Sequence, residues 1–213
     1  PAALRRRLRS ACRISQSLNE RLNDLLRPPQ LSSETVKMRR RLRAQGRLDK
    51  ARSEQEKENL VKWQKYLSTN LDQLRDPCID SDEMLQSQLY LLQRLQSAND
   101  FFDTYSTANW HSLESDFGTE VAQAFRDGAV TFWRRYHPAL IAEGAPKNPI
   151  HYWVMFGLVG LAIDSNEAEN WVDKLSSSDV GTAFRYAMHE LNGLPPWFPD
   201  LFHRYPDAIR NLL

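Results

Sequence analysis

The chain has 213 residues, 41% of them hydrophobic and 26% charged, which suits one large or two small globular domains with a real core. Only 8 glycines and few runs of β-branched residues argue against a β-rich fold. The formal net charge of +1 hides a strong asymmetry: residues 1–52 carry 15 Lys/Arg against 4 Asp/Glu, a balance of +11 that leaves −10 for the rest. Such a split points to an acidic partner (nucleic acid, a membrane surface or another protein) or to attraction between the two halves. The two cysteines, Cys12 and Cys78, lie far apart without zinc or redox spacing, as expected of thiols in a reducing compartment.

In chain order, Leu4, Leu8, Ala11, Ser15, Leu18, Leu22 and Leu25 recur at helical spacing and predict a helix over residues 3–27, ended by Pro28-Pro29. The arginines that interrupt this stripe leave no apolar h-region, so no signal peptide is expected, and the chain is read as cytoplasmic. It starts at Pro1, either because an initiator methionine was removed or because the sequence is a piece of something longer. A second helix is expected after Ser32-Ser33, with Gly46 as its weak point. The Ser53-Glu54-Gln55-Glu56 capping box then predicts a new helix carrying Leu60, Trp63, Leu67, Leu71 and Leu74 as far as Asp76-Pro77.

Asp80 to Glu83 is a further start signal, leading to Leu85, Leu89, Leu92 and Leu95, and Asp100 to Tyr105 extends that helix or begins a short one. Asp116 is the expected N-cap of a helix bearing Val121, Phe125, Phe132, Trp133 and Tyr136, stopped by His137-Pro138. Gly144 to Pro149 reads as a loop. The run Ile150 to Ile163, about 14 residues, is too short to cross a bilayer and predicts a buried core helix in which Gly157 and Gly160 admit a close neighbour. Asp179 is the expected cap of a helix carrying Phe184, Ala187, Met188 and Leu191, closed by Asn192-Gly193. Two short helices are expected from Trp197 to the end.

One pattern occurs twice. Asn109-Trp110, Ser115-Asp116-Phe117-Gly118-Thr119 and Ala124-Phe125-Arg126 are echoed by Asn170-Trp171, Ser178-Asp179-Val180-Gly181-Thr182 and Ala183-Phe184-Arg185, about 60 residues later. A recurring segment of this kind is the mark of stacked supersecondary units, with each tryptophan a core spacer and each Ser-Asp-x-Gly-Thr box a helix cap. The box lacks the lysine and Gly-rich cradle of a P-loop, so capping outweighs anion binding. The expected class is all-α: a helical bundle or solenoid-like stack of helical hairpins with a basic N-terminal arm. Its expected divisions are a basic region 1–77 and a repeat-like region 78–213 with related units at about 85–143 and 150–213.

No local motif assigns chemistry. His189-Glu190 lacks the second histidine of a zincin, and the carboxylates Asp80/Asp82/Glu83 and Glu167/Glu169 have no metal-loop context. His111, His137, His151, His189 and His203 are read as structural or surface residues, with His203 packed among aromatics. No cofactor, metal or small-molecule ligand is therefore expected, and no enzymatic activity, although a pocket among Trp153, Phe184, Trp197 and Phe202 would reopen that question. The remaining functional candidates are Arg39, Arg40, Arg41, Arg43, Arg47 and Arg52, a basic segment suited to an acidic protein partner or to nucleic acid.

The run Ala183 to Gly193 followed by Pro195-Pro196-Trp197 is similar to helical-repeat segments of very large bacterial proteins, some of which resemble the sensor arms of NACHT- or STAND-type NTPases. The resemblance covers at most the last half of the chain. It implies a sensing or scaffolding part of a larger bacterial protein; no nucleotide-binding motif accompanies it.

Overall fold

The computed structural model describes residues 16–17, 20–21, 24, 32–77, 84–98, 107–140, 143–144, 151–191 and 193–210. Among them the secondary structure is helical, with no strand, as periodicity predicts. The predicted helix over 3–27 lies mostly outside these residues, although Gln16, Ser17, Glu20, Arg21 and Asp24 are helical. Cys12, Cys78, the Asp80–Glu83 start signal and Asp100–Tyr105 also lie outside. The chain divides into two compact units, Pro1–Glu56 and Lys57–Leu213.

Helix α1, Ser33–Thr69, is a single element of 37 residues. Ser32 caps it, its Oγ accepting the Thr35 N–H at 3.2 Å. The weak point at Gly46 does not interrupt the helix, and the expected restart at Ser53 does not occur. A glycine costs a solvated helix only about 1 kcal/mol against alanine, and the neighbouring turns carry a Gln45–Asp49 hydrogen bond (2.8 Å) and a Lys50–Glu54 ion pair (3.9 Å) at i,i+4. The Ser-x-x-Glu pattern at 53–56 is compatible with a helix interior when the preceding residues are helix formers. The helix does end earlier than Asp76: Thr69 Oγ1 and Asn70 Nδ2 donate to the Lys65 and Tyr66 carbonyls, both at 2.7 Å, and satisfy the last turn. A short helix α2, Leu71–Arg75, follows.

The second unit continues with α3 (Gln86–Ala98), a 3₁₀ turn (Trp110–Leu113), α4 (Glu114–Phe117), α5 (Thr119–Arg135), α6 (Tyr152–Glu167), a second 3₁₀ turn (Trp171–Lys174), α7 (Ser177–Ala187), α8 (Phe198–Arg204) and α9 (Pro206–Arg210). Helix α6 is apolar on all sides, as a helix surrounded by protein must be. Trp153, Phe156, Val159 and Ile163 enter one core with Leu67, Leu74, Leu91, Leu92, Leu95, Phe125 and Phe132. Val154, Leu158 and Leu161 enter a second core with Trp133, Trp171, Phe184, Tyr186, Phe198 and Leu201.

Glycines set how closely these helices approach. A Cβ on Gly128 of α5 would lie 1.9 Å from the Leu74 carbonyl oxygen, and one on Gly160 of α6 would lie 2.0 Å from the Ala129 carbonyl oxygen. A Cβ on Gly157 would meet the Tyr186 phenol at 2.1 Å. Tyr186 is fully buried, donates to the Tyr136 carbonyl at 3.1 Å, and has its phenol pKa raised well above the ordinary value by burial.

Two caps differ from expectation. Asp116 does not cap α5: the helix begins after Gly118, whose φ of 82° turns the chain, and the Asp116 carboxylate pairs with Arg94 instead. The cap of α7 is Ser176, with Asp179 completing a capping box from the third helical position: the Asp179 N–H donates to Ser176 Oγ at 3.1 Å and the Ser176 N–H to Asp179 Oδ2 at 3.1 Å. Helix α7 stops at Ala187 and not near Leu191, because the Met188 and His189 amides return to the Phe184, Arg185 and Tyr186 carbonyls in a tightened last turn.

These contacts set a stability test. Gly160→Ala presses a methyl against a backbone oxygen that cannot move alone, so it lowers the unfolding free energy by about 1–3 kcal/mol in urea titration. Gly46→Ala meets no atom within 4 Å and raises α1 helicity by circular dichroism, worth about 1 kcal/mol.

Candidate functional site

All six candidate arginines are exposed on α1. At roughly 100° per residue, Arg39, Arg40, Arg43 and Arg47 fall within about 100° of arc on one face, with Lys50 among them, while Arg41 and Arg52 lie on the far side. The structure thus brings four of the six together and separates two. None of the six forms an ion pair with another described residue. Residues 37–52 hold 8 Lys/Arg and one acid, Asp49. Between the charges stand Met38, Leu42 and Leu48, each more than 60% exposed. Among residues 33–56 there is no aromatic side chain.

A second arrangement lies at the end of α6, and sequence reasoning saw only half of it. The Asp164 carboxylate, one turn before Glu167, is buried and accepts three donors on Oδ2: Trp171 Nε1 (2.9 Å), Trp133 Nε1 (3.2 Å) and Arg134 Nη2 (2.6 Å). Glu167 accepts Trp110 Nε1 at 2.6 Å and Arg126 Nε at 2.9 Å. Burial pushes the Glu167 carboxyl up, but the Arg126 guanidinium and the Trp110 indole N–H outweigh it and hold the pKa below its ordinary value. Each repeated tryptophan therefore opens a 3₁₀ turn, is buried, and donates its indole N–H to a carboxylate of the same helix.

The likeness stops at the boxes. Gly118 makes a turn with positive φ, whereas Gly181 lies inside α7, and Asn170 takes a left-handed φ of 52° where Asn109 has −84°. The arginines after the boxes both find carboxylates, Arg126 on Glu167 and Arg185 on Glu143 through two bonds of 2.6 Å. The bidentate Arg185 guanidinium holds the Glu143 carboxyl down to about 2.

The histidines serve packing and local hydrogen bonding. His111 contacts Glu114 at 2.7 Å, His137 meets Thr182 Oγ1 at 2.7 Å, His151 caps α6 and His189 meets the Ala139 carbonyl at 3.0 Å. His203 is exposed and not packed as expected. It borders an open cleft of about 410 Å³ with Trp171, Trp197, Asp173, Asp200 and Arg204. There Arg204 is already engaged, pairing with Asp173 at 2.8 Å and lying over the Tyr205 ring. The four aromatics considered as a pocket do not converge: Trp153 and Phe184 belong to different cores, and Phe202 is 40% exposed. Among the described residues no three His, Cys, Asp or Glu side chains are grouped as metal ligands, and no helix is long and apolar enough to cross a membrane.

The chain matches no known protein family, and no curated protein or solved structure matches it.

The carboxylates of α6 carry two predictions. Asp164→Asn keeps the size but removes the charge opposite Arg134, and costs about 1–3 kcal/mol in denaturant titration. Because the folded-state pKa of Glu167 is lowered, its contribution is present above the ordinary value of 4.5 and is lost as pH falls through the folded value. Glu167→Gln accordingly flattens the acid limb of a stability-versus-pH curve, leaving the curve above neutral pH parallel to the parent's.

Proposed function

We propose that this chain is a non-enzymatic α-helical interaction module, a scaffold or sensor part of a larger bacterial cytoplasmic protein, and that its basic helix docks on an acidic protein partner. The observation that carries this reading is the single exposed face of Arg39, Arg40, Arg43 and Arg47 on an uninterrupted helix. Four guanidiniums in two turns create a local potential that attracts a polyanionic surface and accelerates encounter. The similarity of Ala183–Gly193 and Pro195-Pro196-Trp197 to helical-repeat segments of very large bacterial proteins supports the same assignment.

Nucleic acid is the alternative occupant, since an exposed arginine row also suits phosphates. Two features favour protein. Met38, Leu42 and Leu48 are exposed on the same helix, Leu42 bordering the arginine face, and exposed apolar side chains beside charges suit contact with a protein surface. Residues 33–56 offer no aromatic side chain on which bases could stack.

The test compares binding of the full chain to an acidic peptide of alternating Glu and Leu turns and to a short DNA duplex. The peptide binds at low salt and weakens as salt rises, because exposed charges are screened. Replacing Arg39, Arg40, Arg43 and Arg47 by Glu weakens it at least about tenfold, from four charge pairs worth up to roughly 1 kcal/mol each. The Arg41→Glu/Arg52→Glu variant retains most of the affinity. Retardation of the duplex without peptide binding would make this a nucleic-acid protein, and binding of neither at low salt would end both readings.

A further inference from the structure

Within the second unit, α1 leaves one surface open beside its core stripe. Leu60 and Leu67 pack into the first core, while Lys62, Trp63 and Tyr66 occupy the adjoining arc at i, i+1 and i+4. Because the chain breaks at Asn70 and α3 begins only at Gln86, these residues face Gln73, Leu85 and Gln86 across a cleft of about 480 Å³. That volume falls in the range of small-molecule sites.

The walls are mostly apolar and their rings are held in place. Trp63 stacks on Tyr90 of α3, with centroids 4.4 Å apart and planes 12° from parallel. Tyr66 stands edge-on to Trp63 at 5.8 Å, and its hydroxyl reaches Gln73 Oε1 at 3.4 Å. Trp63 is half-buried and Tyr66 is 46% exposed, so both present ring surface that solvent or a ligand can reach. The electrostatics are one-sided. Among the described residues of the lining Lys62 is the one cation and none is a carboxylate, and Lys62 makes no ion pair with a described residue. The remaining polar groups include the Gln73 and Gln86 side-chain amides, which can donate or accept.

We infer that this cleft binds a small flat aromatic carboxylate, with its ring against Trp63, Tyr66 and Leu85 and its carboxylate on Lys62 Nζ. Among the described lining residues one cation stands without an acid, which suits a monoanion. Ring walls set edge to face select a planar apolar body over an aliphatic one. The site shares no residue with the arginine face and stands independently of it.

The experiment uses the full chain with indole-3-acetate as the probe and neutral indole-3-acetamide as its control, read by saturation-transfer NMR and calorimetry. The acetate binds saturably below ~10 mM, on the order of the weak affinities expected for so few atoms. It binds about threefold tighter than the amide, the size of one exposed charge pair. Lys62→Gln abolishes that preference while retaining the amide, and Tyr66→Ala weakens both ligands. Both substituted residues are exposed, and an unchanged far-UV spectrum confirms the fold. No saturation up to ~10 mM, or parent-like binding by Lys62→Gln and Tyr66→Ala together, overturns the assignment.

Discussion

The second unit depends on how it neutralises the end of its most buried helix. Helix α6 runs apolar between two cores and then, in its last turns, carries two carboxylates. A carboxylate taken from water without partners costs several kcal/mol, so the surrounding elements must supply donors. They do so in matching sets: an indole N–H and a guanidinium for each acid, with a second indole added where burial is deepest, at Asp164. The 3₁₀ turns opened by Trp110 and Trp171 are thereby fastened to the same helix end from different parts of the chain.

The glycines give this arrangement its closeness. Gly128 lets α5 lie against the Leu74 carbonyl, Gly160 lets α6 lie against Ala129, and Gly157 leaves room for the Tyr186 phenol. These approaches run from α2 through α5 and α6 to α7. They bring Trp133 and Arg134 of α5 within reach of Asp164, so backbone packing and carboxylate satisfaction are parts of one constraint. Interiors packed at crystal-like density tolerate neither an extra methyl at such points nor a lost donor.

The first unit follows a different logic. Its described part of α1 is exposed along nearly its whole length, so tertiary burial contributes little there. Helix-forming residues and i,i+4 pairs sustain it, and its charges remain in water. Among the described residues the buried cores lie in the second unit and the exposed arginine row in the first.

Short-range pattern determined much of this. Apolar spacing marked the helices, prolines and glycines marked several of their limits, and the apolar run at 150–163, with His151 near its start, identified α6 as core. The six arginines were visible as a segment, and a recurring tryptophan singled out the two turns that meet α6. Only the tertiary structure decided the rest. Whether Gly46 and Ser53 end a helix depends on small local differences that a continuous helix overrides. Whether Asp116 caps α5 depended on Arg94, 22 residues away. Asp164 drew no attention in the sequence because its meaning lies in donors 7, 30 and 31 residues distant. The cleft at Trp63 likewise exists only where α1, α2 and α3 face one another. Helical periodicity is written within a few turns of chain, whereas the partner of a buried charge and the shape of a cleft are set by which distant surfaces pack together.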